Sequence, residues 1–159
     1  MEIEDQDQYG TDFDWFGVDE CGEIGHFTTA GFKKLPKTVS SSAEDLAYVT
    51  NYFLREAPIR GSHRVEPTLT QERPGWKGES QEERYLRSFI AMADRGLFSF
   101  DIDSYLGPNT AYFRVALPVS PIRFSDLPDR IRDVVGRTII KGPLLRQRLR
   151  IPYEETLAL

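Results

Sequence analysis

The chain has 159 residues and a mass of 18.2 kDa, 40% hydrophobic and 12% aromatic, which is one ordinary domain with ample material for a single core and too apolar for disorder as its main state. Its 20 basic and 25 acidic residues set the net charge at −5, and its one cysteine, Cys21, excludes an intrachain disulfide framework and agrees with a reducing, cytoplasmic setting. No apolar run approaches the roughly 18 residues that span a bilayer, and the amino terminus is acidic where a signal peptide is basic, so no membrane partner is expected.

The charge is unevenly spread. Residues 1–30 hold nine of the acidic residues and no Lys or Arg, which leaves a net +4 on the rest. The basic end is sharpest over 141–150, where Lys141, Arg146, Arg148 and Arg150 occur without an acid. Such asymmetry marks either an interaction surface or two segments that neutralise each other within the fold.

In chain order, residues 1–11 are polar, acidic and aperiodic, which predicts a flexible, frayed terminus ahead of a single domain over 12–159. Two aromatic and β-branched runs, 12–18 and 23–28, flank Asp19-Glu20-Cys21-Gly22 and predict a β-hairpin with Gly22 at positive φ. Phe13 and Trp15 fall on one face of its first strand and Asp14, Phe16 and Val18 on the other, so both faces should be covered. A loop with Gly31 and Pro36 follows.

Ser40-Ser41-Ser42 before Ala43-Glu44-Asp45 reads as a helix start, with Leu46, Val49 and Tyr52 or Phe53 at helical spacing and an end near Glu56, before Pro58. Residues 57–79 are irregular and rich in Pro and Gly. Ser80 and Glu83 fit a capping box; the stripe Tyr85, Leu86, Phe89, Ile90 and Ala93 predicts a second helix, closed by Gly96 in a left-handed conformation. Strands over 97–102 and 111–119, joined by the turn-rich stretch 103–110, predict a second hairpin. Residues 122–124 extend the sheet, Ser125-Asp126-Leu127-Pro128 starts a short helix that ends at Gly136, and 138–140 make a last strand. The fold class is α+β: a mainly antiparallel sheet of four to six strands, with two longer helices on one face and a short third helix.

Motifs for chemistry are mostly absent. Gly75-Trp76-Lys77-Gly78-Glu79-Ser80 lacks phosphate-loop spacing, no G-x-S-x-G elbow occurs, and one cysteine with two distant histidines, His26 and His63, gives no zinc pattern. The acids at Asp101 and Asp103 fail as a calcium loop, because Leu106 stands where glycine is required and Tyr112 where a bidentate glutamate is required. Cys21 sits among Glu20 and Glu23, which suppress its thiolate. His26 can act as a general base with Asp14 or Asp19 as its orienting acid across the hairpin, although strand histidines more often serve structure. Arg146, Arg148 and Arg150 could meet phosphates, but the acidic total and an alternation that suits an edge strand speak against nucleic acid. No cofactor or metal is expected.

Asp14-Trp15-Phe16-Gly17-Val18-Asp19-Glu20-Cys21-Gly22-Glu23-Ile24-Gly25 through Gly31, then Leu35-Pro36, resembles the opening hairpin of small bacterial proteins similar to the immunity proteins of polymorphic toxin systems. The stretches 95–105, 112–114 and 126–128 are similar in type to their second half. The resemblance covers 12–140 in outline, transfers no catalytic residue, and implies a bacterial protein that acts by binding. A basic toxin is the partner such a protein would neutralise, through an acidic surface that speeds association. The partner-binding candidates are Asp12, Asp14, Trp15, Asp19 and Glu20, with Asp5 and Asp7 beside them. Two alternatives stand: a small enzyme whose pocket collects Asp14, His26, Asp101 and Tyr105, and a homo-oligomeric subunit joined through a sheet edge or the basic tail.

Overall fold

The computed structural model of the chain describes residues 1–67, 79–103 and 110–159, and of residues 79 and 80 the backbone alone. Tyr105, most of the 103–110 turn, much of the irregular stretch 57–79 and the Ser80 side chain of the capping box therefore lie outside the described residues. What is described is α+β, with six helices and a seven-stranded sheet.

The strands are β1 Asp14–Asp19, β2 Ile24–Thr28, β3 His63–Val65, β4 Phe98–Ile102, β5 Ala111–Pro118, β6 Ile139–Ile140 and β7 Arg150–Pro152. Their order is β3-β5-β4-β2-β1-β6, with β7 also pairing β5. Both expected hairpins form: β1 with β2, Trp15 opposite Phe27, and β4 with β5, Ile102 opposite Tyr112. Gly22 closes the first hairpin at φ +82°.

The sheet is nevertheless mixed, not mainly antiparallel, and has seven strands where four to six were expected. β2 pairs β4 in parallel, with His26 beside Ser99, and β1 pairs β6 in parallel at Val18 and Asp19. The physical reason lies in the connections. Helices intervene between β2 and β4 and between β5 and β6, and a helical crossover lets the chain return in its original direction, which a hairpin cannot do.

The helices are α1 Asp5–Gln8, α2 Lys37–Ser40, α3 Ala43–Asn51, α4 Glu79–Asp94, α5 Asp129–Val135 and α6 Tyr153–Leu157. The Ser42 hydroxyl caps α3 by accepting the Asp45 amide. Instead of running on as α-helix to Glu56, α3 widens into a π-helical turn over Tyr52–Glu56, ended by the Ala57 amide bonding the Tyr52 carbonyl at 2.8 Å. Residues 122–124 add only a bridge between Glu23 and Arg123 and enter a 3₁₀ turn, Phe124–Asp126, not a full strand.

One face of the sheet packs under α3, its π turn, α4 and α5, where Phe16, Val18, Ile24 and Leu97 meet Val49, Phe53, Met92 and Ile131, and Phe113 and Val115 meet Leu86 and Phe89. The other face buries Trp15, Phe27, Phe100 and Tyr112 beneath Ile3, Leu35, Leu145 and Ile151. The second layer is thus supplied by the two ends of the chain. The terminus expected to fray is packed: Ile3 is buried and its amide bonds the Ser40 carbonyl, while Gln8 bonds the Ile3 carbonyl and the Leu35 amide.

Candidate functional site

Between the docked amino terminus and α3 lies an open groove of about 670 Å³. α3 supplies one wall through Ala43, Ala47, Thr50 and Leu54, which recur every three or four residues on one side of the helix, with Arg55 at its end. Glu2, Glu4 and Asp7 line the opposite wall, and Asp12, Phe13 and Asp14 the inner end, where the chain enters β1. Because β6 pairs only with Val18 and Asp19, no described strand runs alongside the start of β1 on the side away from β2.

Five carboxylates therefore face a single guanidinium across an apolar floor. Glu2 is paired with Lys37. Glu4 and Asp7 have no ionic partner among the described residues, so their charge is open to solvent. Asp12 accepts the Ala30 amide at 2.7 Å, yet burial raises its pKa above the ordinary 3.8; the Asp14 and Asp101 carboxylates push the same way, and only Ala30 and His26 oppose. At Asp14, burial also pushes upward, but the hydrogen bond and charge of His26, 3.0 Å away, outweigh it and hold the pKa below 3.8.

Beneath the groove His26 is fully buried, its Nε2 on Asp14 and its Nδ1 2.7 Å from the Ser99 hydroxyl. The order Asp, His, Ser is that of a hydrolase relay. Ser99, however, is itself fully buried, so its hydroxyl has no path to a substrate. The chain of bonds satisfies three polar groups inside the sheet's helical face, between Phe16 and Phe89. Asp101 does similar work nearby, accepting from the Thr28 and Tyr85 hydroxyls at 2.7 and 2.5 Å.

Of the five partner-binding candidates, Asp12 and Asp14 come together in the groove. Trp15 does not: it is fully buried, stacked on Phe27 with centroids 4.1 Å apart, and its indole N–H donates to the Tyr112 hydroxyl. Asp19 is buried too, accepting the Cys21, Glu23 and Leu145 amides, so it fastens the hairpin turn to the C-terminal segment and leaves His26 to Asp14. Glu20 is exposed on the hairpin turn, away from the residues that line the groove. Sequence reasoning missed the α3 wall, although a second stripe at 43, 47, 50 and 54 is visible beside the core stripe. It also missed Ser99, whose signal was a polar residue at an inward position of an apolar strand.

The basic tail is largely neutralised at home. Arg146 pairs with Glu23, Arg148 with Glu155 at 2.8 Å and Arg150 with Asp103 at 3.4 Å. Among the described residues no group of three or more His, Cys, Asp or Glu side chains is placed to hold a metal, and no helix is long and apolar enough to cross a membrane. Fold and site together define an α+β protein with an acidic, apolar-floored groove. Comparison with protein-family models, curated proteins and solved structures finds no match.

Proposed function

We propose that this is a non-enzymatic binding protein whose groove holds a basic segment of a partner protein. The observation that carries the reading is the groove's composition: five carboxylates around apolar Ile3, Phe13, Leu46 and Leu54, opposed by Arg55 and by a Met1 ammonium that is itself paired with Glu44. Lysine and arginine side chains match both parts, since their stems cover apolar surface while their heads meet acid. An acidic groove also steers a basic partner into encounter. A basic toxin, neutralised as immunity proteins neutralise theirs, is the version that the hairpin's resemblance supports. The enzyme alternative is weaker because His26 and Ser99 are sealed from solvent.

The test is fluorescence anisotropy with a labelled peptide of alternating lysine and alanine. Binding should weaken about tenfold between roughly 50 and 300 mM salt, as screening shortens the reach of exposed charges. The pair Glu4→Gln and Asp7→Asn, which breaks no described ion pair, should weaken it several-fold with no change in melting temperature. Binding indifferent to both salt and these substitutions would sink the reading.

A further inference from the structure

Next to the inner end of the groove, two aromatic side chains stand out in water: Tyr9, 60% exposed, and Phe32, 56% exposed. Neither is left there by a loose loop. The Gly10 amide donates to the Gly31 carbonyl at 2.9 Å, Phe13 N–H donates to the Thr29 hydroxyl, and the Phe32 amide closes back on the Thr29 carbonyl at 3.1 Å. Gly10, Ala30 and Gly31 all adopt positive φ, at +83°, +50° and +72°. Two are glycines, for which this is easy, but Ala30 is not, and a non-glycine residue is held there only when its surroundings fix it. What fixes it is Asp12, whose carboxylate accepts the Ala30 amide while lining the groove. One side chain thus ties the acidic groove to the turn that presents Phe32.

The charges around these rings decide what they suit. Lys34 is paired with Asp5, Lys37 with Glu2, and Lys33 lies over the Tyr153 ring with its ammonium 5.1 Å from the centroid. The nearby cations are therefore occupied, and an approaching molecule meets these exposed rings together with the unpaired carboxylates of Glu4 and Asp7 that line the adjoining groove. Both recognise cations, and arginine satisfies both better than lysine does. Its planar guanidinium stacks on aromatic rings, forks onto carboxylates and sheds water more readily than an ammonium.

We propose that Tyr9 and Phe32 are the aromatic anchors of the interface, extending the groove into a surface selective for arginine-rich segments of a partner protein. This rests on the groove being the binding site, and it adds a prediction that the acidic groove alone does not make, namely a preference for arginine over lysine at equal charge. The expected interface has two buried rings at one end and paired carboxylates along its length, an arrangement in which truncating an anchor costs more than truncating its neighbours.

Two peptides of equal length and charge, one alternating arginine with alanine and the other lysine with alanine, are titrated into the wild-type chain and into Tyr9→Ala, Phe32→Ala and the double variant. The arginine peptide should bind wild type about five- to tenfold more tightly, an advantage of the order that one or two stacking contacts supply. The double variant should lose that preference while its affinity for the lysine peptide stays within about twofold. Phe32→Leu, which keeps apolar area and removes the ring, should behave as Phe32→Ala does. Equal binding of both peptides to wild type, or a preference that survives the double variant, overturns the aromatic anchors and leaves the groove standing. Failure of both peptides to bind overturns both. If sedimentation shows the wild type self-associating and Phe32→Ala monomeric, the rings cover a second copy of this chain, and the proposal falls.

Discussion

Asp12 and Asp14 stand two positions apart at the mouth of β1 and are perturbed in opposite directions, for reasons that the geometry makes plain. Asp14 has a buried imidazole against it that outweighs its burial; Asp12 is raised by its burial first and by two nearby carboxylates, against one amide and the charge of His26. A carboxyl whose folded pKa lies below the ordinary value stabilises the fold above about pH 4, and that contribution is lost as pH falls through the lowered pKa. One whose folded pKa is raised does the reverse: its contribution is present below pH 4 and lost as pH rises through the raised pKa. Asp14→Asn should therefore lower the melting temperature at pH 7, with the deficit shrinking towards pH 3. Asp12→Asn, whose amide oxygen still accepts the Ala30 N–H, should raise the melting temperature at pH 7 and lose that advantage by pH 3. Thermal melts between these limits check both. A residue that costs stability at working pH is the kind that function retains, and Asp12→Asn is expected to weaken peptide binding while it stabilises the fold. The sequence singled out Asp12 and Asp14 as part of an acidic head, and His26 because Asp14 or Asp19 could orient it across a predicted hairpin. Trp15 and Asp19, named as partner-binding candidates, are buried: Trp15 in keeping with the expectation that both faces of the first strand are covered, and Asp19 by a C-terminal segment that no local signal announces.

At the scale of elements, local signals held at several caps and turns. Ser42 caps α3, Gly22 turns the first hairpin, and Gly96, at φ +95°, ends α4 and starts β4. A Cβ at Gly96 would lie 2.5 Å from the Ile122 backbone nitrogen, so space as well as conformation demands glycine there. Gly96→Ala should cost about 2–4 kcal/mol, read as a shift in the denaturant midpoint without loss of secondary structure in the folded state. The π turn at Tyr52–Glu56 was illegible for the opposite reason. Its residues are ordinary helix formers, and the widening seats Phe53 fully inside the core against Phe16 while Tyr52 and Leu54 stay partly or mostly outside. Tertiary packing set that geometry, not propensity.

At the scale of the whole molecule, the acidic head and the basic tail meet chiefly through Glu23, which is 2% exposed and carries Arg146, itself 53% exposed. One Glu23 oxygen has no hydrogen-bond partner, so its charge depends on Arg146. Arg146→Ala should cost about 2 kcal/mol, less than the roughly 3–5 kcal/mol seen when one member of a fully buried pair is removed, because half of this pair is wet. Adding Glu23→Gln should recover part of the loss, and urea melts of the single and double variants measure it. Asp19 bonds the Leu145 amide, Asp5 and Glu2 pair with Lys34 and Lys37, and Glu4 and Asp7 look outward, so the net charge of −5 understates the field at the groove. Strand order was the least legible property of the fold. Parallel pairing of β2 with β4 and of β1 with β6 depends on which distant segments return to the central hairpin, and hydrophobic pattern carries no record of that.

The rims of the sheet impose a rule on any association. β6 has two residues, β3 and β7 three each, exposed Arg64 and Arg150 stand on those short strands, and Pro152 has no amide to offer. Nowhere among the described residues does the sheet present a long row of free backbone donors and acceptors, so strand addition, the route by which β proteins recruit one another or aggregate, finds no template. A partner must be read by side chains, one head group at a time, and a concentrated solution of the chain should resist edge-to-edge fibril growth for the same reason.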